Sequence, residues 1–106
     1  MTKAIPSFGK DWPGKFTPTP IMFYVYILRS KIDSDLYVGS TSDLRKRFKD
    51  HNDGRVFSTK RRKPFELIYY EAYKSEVDAR KREHNLKLRS RALAQLKKRI
   101  NDSLKT

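Results

Sequence analysis

Apolar and polar positions along this chain change period several times, and each change marks an element. Phe23-Tyr24-Val25-Tyr26-Ile27-Leu28 is an apolar and aromatic run rich in strand formers. A polar stretch from Ser30 to Asp35 follows. Leu36-Tyr37-Val38 then makes a second short strand, closed by Gly39. The pair predicts a β-hairpin. A loop over 30–33 sets Tyr26 directly across from Tyr37, both on one face.

Thr41, Ser42 or Asp43 can cap a helix in which Leu44 and Phe48 follow helical spacing. Arg47 and His51 fall on the same side as Leu44, and Gly54 is placed to end the helix. The segment 57–63 is a basic loop punctuated by Pro64, and Phe65 to Tyr73 reads as a third strand. Ser75 and Asp78 form a capping box for a helix running from about Glu76 to Arg89. Ser90 can cap another, with Leu93, Leu96, Ile100 and Leu104 at helical spacing. The order strand, strand, helix, strand, helix, helix predicts an α+β domain: a small three-stranded antiparallel sheet flanked by helices. Residues 1–21, with Pro6, Gly9, Pro13, Gly14, Pro18 and Pro20, carry no regular period and read as a flexible N-terminal extension. The domain spans 22–106.

Charge adds a partner to this outline. The chain has 106 residues, enough for one domain. It carries 25 Lys+Arg against 12 Asp+Glu, a net charge of +13. A chain this basic is drawn to a polyanion, because lysine and arginine displace counterions condensed on phosphates. Nucleic acid leads, and an anionic membrane surface comes second. Cysteine is absent from the sequence, which excludes a disulfide framework and a thiolate metal cluster. No apolar run approaches the roughly twenty residues of a membrane span, and the N-terminus lacks the apolar core of a secretory signal. A soluble, cytoplasmic monomer with no membrane partner is expected.

Glu83 is the carboxylate of interest. It lies with Ala79 and Leu86 on the most apolar row of its helix, so it faces inward. A buried carboxylate needs a cation. Either a divalent metal or an ion pair with Arg80 or Arg47 would supply one. Arg47 and His51, one helical turn apart, can point into one cleft. A guanidinium there grips two phosphate oxygens, and an imidazole relays a proton near neutral pH. The plainer alternatives are a solvated charge in Arg45-Lys46-Arg47 and a helix C-terminal partner of the dipole. Tyr26 and Tyr37 are either core residues of the hairpin or hydroxyls converging on a cleft floor. Lys60, Arg61, Arg62 and Lys63 suit phosphate contacts that position rather than read sequence.

These segments resemble the GIY-YIG nuclease superfamily. Tyr24-Val25-Tyr26 stands in the place of its first motif and Tyr37-Val38-Gly39 in that of its second. Tyr37-Val38-Gly39-Ser40-Thr41, Leu44 to Arg47, His51-Asn52, and Thr59 to Arg62 followed by Tyr69-Tyr70 are similar to the small stand-alone bacterial group. The resemblance implies hydrolysis of phosphodiester bonds at a single Mg²⁺ or Mn²⁺. Residue by residue, it makes Tyr37 the group at or near the general base and Tyr26 the one that helps place the water. Arg47 becomes the phosphate ligand, His51 a helper and Glu83 the metal ligand. It implies an endonuclease acting on DNA (RNA as a second choice), related to structure or damage, with low sequence specificity. The alternative is a nucleic-acid-binding accessory protein with weak or no catalysis. Some family members carry an asparagine beyond the metal-ligand helix; Gln95 lies about where it would fall.

Overall fold

A computed structural model describes residues 21–106. The expected extension, apart from an exposed Ile21, lies outside the described residues. Strands β1 (Phe23–Ser30), β2 (Leu36–Thr41) and β3 (Phe65–Tyr73) form one antiparallel sheet in the order β2-β1-β3. Helix α1 (Leu44–Asn52) joins β2 to β3, and α2 (Glu76–Lys87), α3 (Arg91–Arg99) and α4 (Asn101–Lys105) follow β3.

Alternation along β1 divides the sheet into two faces. Val25 and Ile27, with Leu36 and Val38 of β2, pack against Ala79, Leu86, Leu93, Leu96 and Ile100 of the last helices. Tyr26 and Leu28 face the other way, onto Phe65, Tyr37, Leu67 and the α1 residues Leu44 and Phe48. Burial of both faces is why β1 reads as an almost unbroken apolar run. A register shift between Ile27 and Leu28 places Tyr69 opposite Ile27 and Leu67 opposite Leu28. Ile68 is thereby the extra residue of a bulge, and both Ile68 and Tyr69 reach the helix-side core. On that side Glu71 accepts hydrogen bonds from Tyr69 (2.6 Å), Tyr73 and Arg82 of α2 (2.8 Å), tying β3 to the helix.

The hairpin differs from the expected register. Tyr26 pairs with Gly39, and Tyr37 pairs with Leu28. The turn is responsible. Ser30 Oγ accepts from the backbone of Ile32 (3.0 Å) and Asp33 (3.3 Å), and Ser34 adopts φ 61°. The loop therefore spans 31–34 rather than 30–33, closed as Ser30 N–H donates to the Asp35 carbonyl at 3.0 Å, which moves the partner of each β1 residue two positions along β2. The slip is an even one for the pair, so Tyr26 and Tyr37 keep a common face and sit diagonally.

Asp43 is the cap of α1, accepting from Lys46 N at 3.1 Å, and Gly54 follows its end at φ 77°. Ser75 caps α2 through Asp78 N (3.3 Å). That helix stops at Lys87 rather than Arg89, because Arg89 turns to φ 54°. The last helical stretch breaks at Ile100 into α3 and α4 while keeping Leu93, Leu96 and Ile100 buried. Arg29 of β1 donates to Glu66 Oε1 (3.1 Å), to the Leu104 carbonyl and to the Thr106 carbonyl (3.3 Å), fastening α4 to the sheet.

Candidate active site

Tyr26 is the centre of the site. Its ring crosses the backbone of Gly39 so closely that a Cβ at that position would lie 2.5 Å from Tyr26 Cζ and nearer still to its Oη. Glycine at position 39 is a matter of space: only a residue without a side chain lets the phenol lie across β2. The hydroxyl then meets His51 Nε2 at 2.9 Å, and His51 Nδ1 meets Thr59 Oγ1 at 2.8 Å. His51 and Thr59 are both fully buried.

Burial pushes the Tyr26 phenol up to about 12, against the lowering influence of the Arg47 guanidinium beside it. Tyr26 is thus a protonated donor at neutral pH. Its O–H donates to Nε2, Nδ1–H donates to Thr59, and the Thr59 hydroxyl points to the Val56 carbonyl at 3.5 Å. Burial, helped by the positive charge of Arg47, holds His51 down at about 4. At neutral pH the imidazole is therefore uncharged, and its two hydrogen bonds hold the Tyr26 phenol in place. The dipole-partner alternative gives way, because both ring nitrogens are engaged with side chains.

Tyr37 lies at the rim of this pocket. Its ring centre is 5.0 Å from that of His51 and 6.4 Å from that of Tyr26. Arg47 is half-buried beside the Tyr26 hydroxyl. Among the described residues it forms no ion pair.

Glu83 approaches from α2, around the edge strand β2. Its Oε1 accepts from Ser40 Oγ at 2.6 Å and its Oε2 pairs with Lys87 Nζ at 2.7 Å. The ion-pair partner is thus Lys87, neither Arg80 nor Arg47; Arg80 pairs with Glu76 at 3.2 Å. Burial alone would raise the Glu83 carboxyl, but Lys87 and Ser40 outweigh it and hold it below the usual range. Lys87 Nζ also stands 6.0 Å from the Tyr37 ring centre, so one ammonium joins the acid to the phenols.

Among the described residues, no three His, Cys, Asp or Glu side chains gather to cage a metal. One carboxylate, 19% exposed and beside a hydroxyl, still fits a hard cation that keeps most of its waters and takes substrate oxygens, with Lys87 displaced.

The basic loop divides. Lys60, Arg61 and Lys63 are exposed. Arg62 instead pairs with Asp33 (2.9 Å), donates to the Asp35 carbonyl (3.1 Å), and covers the Phe65 ring at 5.6 Å. It locks the loop to the hairpin turn. Gln95 lines a groove with Arg82, Ala92, Leu96 and Arg99, a groove that neither Ser40 nor Lys87 lines. Sequence reasoning missed Ser40 and Lys87 as partners of Glu83, Thr59 as partner of His51, and the steric demand on Gly39. The four-residue spacing of Glu83 and Lys87 was a usable signal. Thr59 offered none, since an irregular loop carries no period.

Comparison with known proteins gives relatives of similar size. A UPF0213 protein of Clostridium perfringens is 43% identical over 67 residues, 62% of this chain and 71% of its own. One from Staphylococcus saprophyticus is 41% identical over 69 residues, 64% of this chain and 83% of its own. The UPF0213 protein YazA of Bacillus subtilis is 38% identical over 74 residues, 69% of this chain and 74% of its own. The solution NMR structure of a UPF0213 protein from Bacillus halodurans is 35% identical, with a TM-score of 0.46 over 72% of this chain and 81% of that one. The GIY-YIG catalytic domain matches residues 22–101, which takes in all three strands, Tyr26, Tyr37, Arg47, His51 and Glu83, so the chain belongs to the GIY-YIG family of nucleases.

Proposed function

We propose that this protein is a divalent-metal-dependent endonuclease that hydrolyses phosphodiester bonds of DNA, with structure- or damage-related targets and low sequence specificity. The observation that supports the reading is that two phenols and a guanidinium, free of carboxylate partners among the described residues, gather on one side of β2, while Glu83 reaches the same strand from α2 and is linked to Tyr37 through Lys87.

Glu83 would hold Mg²⁺ or Mn²⁺, which supplies Lewis-acid stabilisation of charge on the phosphate. Arg47 binds phosphate oxygens through its planar fork and meets charge as it builds. Tyr26, kept protonated by burial, gives its O–H to His51 and orients the water by accepting from it, rather than taking a proton. Tyr37, the more exposed of the two phenols and the one near Lys87, is the candidate base: having released its own proton to solvent, its phenolate takes a proton from the attacking water. His51 and Thr59 hold Tyr26 in place.

One observation favours the alternative of binding without cleavage: Lys87 and Ser40 already satisfy both Glu83 oxygens. Replacing Glu83 separates the two readings. Glu83→Gln is expected to lower Mn²⁺-dependent cleavage of plasmid and branched DNA by about a hundredfold or more, with DNA affinity retained. Cleavage at the wild-type rate in this variant, or no metal-dependent cleavage by the wild type, overturns the proposal.

A further inference from the structure

Phe57 is the most exposed large apolar side chain of the described domain, at 84%. Its ring stands in the loop after α1 with Lys60 Nζ 4.8 Å above the centroid. Phe57, Ser58, Lys60 and Arg61 line a surface concavity of about 370 Å³. Exposing a phenylalanine forfeits burial that every other phenylalanine of the described domain obtains at least in part. The surroundings say what would cover it. Arg55, Lys60, Arg61 and Lys63 are exposed on the same loop, whereas Asp53, the acid nearest in sequence, is paired with Lys49. An aromatic face ringed by cations suits a ligand with a flat π-surface and an attached negative charge.

The loop is also joined to the catalytic cleft. Thr59, two residues from Phe57, is the buried partner of His51, and the Thr59 N–H donates to the Val56 carbonyl at 3.1 Å. The backbone on both sides of Phe57 is therefore anchored, and through Thr59 and His51 it is tied to Tyr26. Bases in a duplex hide their faces in the stack, whereas an unpaired base presents one.

We propose that Phe57 is a stacking platform for an unpaired base, with Lys60 and Arg61 on the adjoining phosphates, so that the protein prefers single-stranded or locally unpaired nucleic acid. This rests on the reading that nucleic acid is the substrate. On binding, a base takes one face of the Phe57 ring and the Lys60 ammonium moves from the ring to a phosphate.

The test is binding without metal, which separates it from cleavage. Single-stranded DNA and RNA oligonucleotides carrying 2-aminopurine are titrated with full-length protein, alongside a duplex of the same sequence. Stacking on Phe57 quenches the 2-aminopurine signal. Phe57→Ala is expected to abolish the quench and weaken single-strand binding about tenfold or more, with a much smaller change for the duplex and an unchanged melting temperature. Phe57→Trp restores both the quench and the affinity. Lys60→Gln weakens single strand and duplex alike and leaves the quench. Equal losses for single strand and duplex in Phe57→Ala overturn the platform while leaving the nuclease reading intact. A Phe57→Ala protein that changes only its self-association overturns it in favour of a protein interface. Failure of the wild type to bind any nucleic acid removes both readings.

Discussion

His51 carries a charge state that determines how stability responds to acid. Folded, it stays neutral down to about pH 4; unfolded, it takes a proton near its ordinary value of 6.5. Between those values the unfolded chain binds the additional proton, so stability falls as pH drops through the window and levels off below it. The full effect is about 3 kcal/mol. Melting temperatures measured between pH 7 and pH 4 should therefore decline steeply in the wild type. His51→Gln should be less stable at pH 7 but flatter across that window. Parallel curves for the two proteins would mean that the imidazole is not held neutral. The role was hard to read from the sequence because a histidine at the end of a basic helix looks like a dipole partner or a titrating base. Only its burial between Tyr26 and Thr59 distinguishes the third possibility. Lys87 was similarly concealed among many cations on the last helices, though its spacing to Glu83 pointed to it.

The hairpin of β1 and β2 is the element on which the cleft depends, and its tolerance is narrow where Tyr26 crosses Gly39. Gly39→Ala forces the phenol off β2 and away from His51. The expected cost is about 1–3 kcal/mol of overpacking, together with loss of cleavage. In a Tyr26→Leu background, which removes the ring, the same alanine should cost much less. A double-mutant cycle by denaturant unfolding measures that coupling, and a coupling near zero would show that the ring and the glycine do not compete for space. Strand starts, the caps of α1 and α2 and the position of β3 were legible from period and composition, whereas β1 runs on to Ser30, β2 continues through Gly39 to Thr41, and Ser90 makes no capping hydrogen bond. The pairing register was not, since it depends on Ser30 Oγ serving two backbone donors and on Ser34 adopting a left-handed conformation. The break at Ile100 was hidden too, because Leu96, Ile100 and Leu104 keep helical spacing across it.

Across the entire molecule, an excess of positive charge attracts polyanions without choosing a site, so its net value of +13 leaves open where the strand lies. The two faces of the sheet differ in this respect. Lys60, Arg61 and Lys63 adjoin the tyrosine-bearing face, whereas Lys97 and Lys98 sit on α3, which packs against the opposite one. If the strand crosses the cleft, replacing Lys60 and Lys63 with glutamine should reduce the steepness of log affinity against log salt by about one unit for each phosphate left without its cation. The same exchange at Lys97 and Lys98 should leave that slope nearly unaltered. Anisotropy titrations over a salt series check both, and equal changes would assign the charge to general attraction alone. The grip of Arg29 on the carbonyls of Leu104 and Thr106 has a bearing on this geometry. It moors the tail of the chain behind the sheet, with the helices. A cargo or reporter grafted after Thr106 would thus trail from the rear of the protein, and a long polymer could thread past the phenols unhindered.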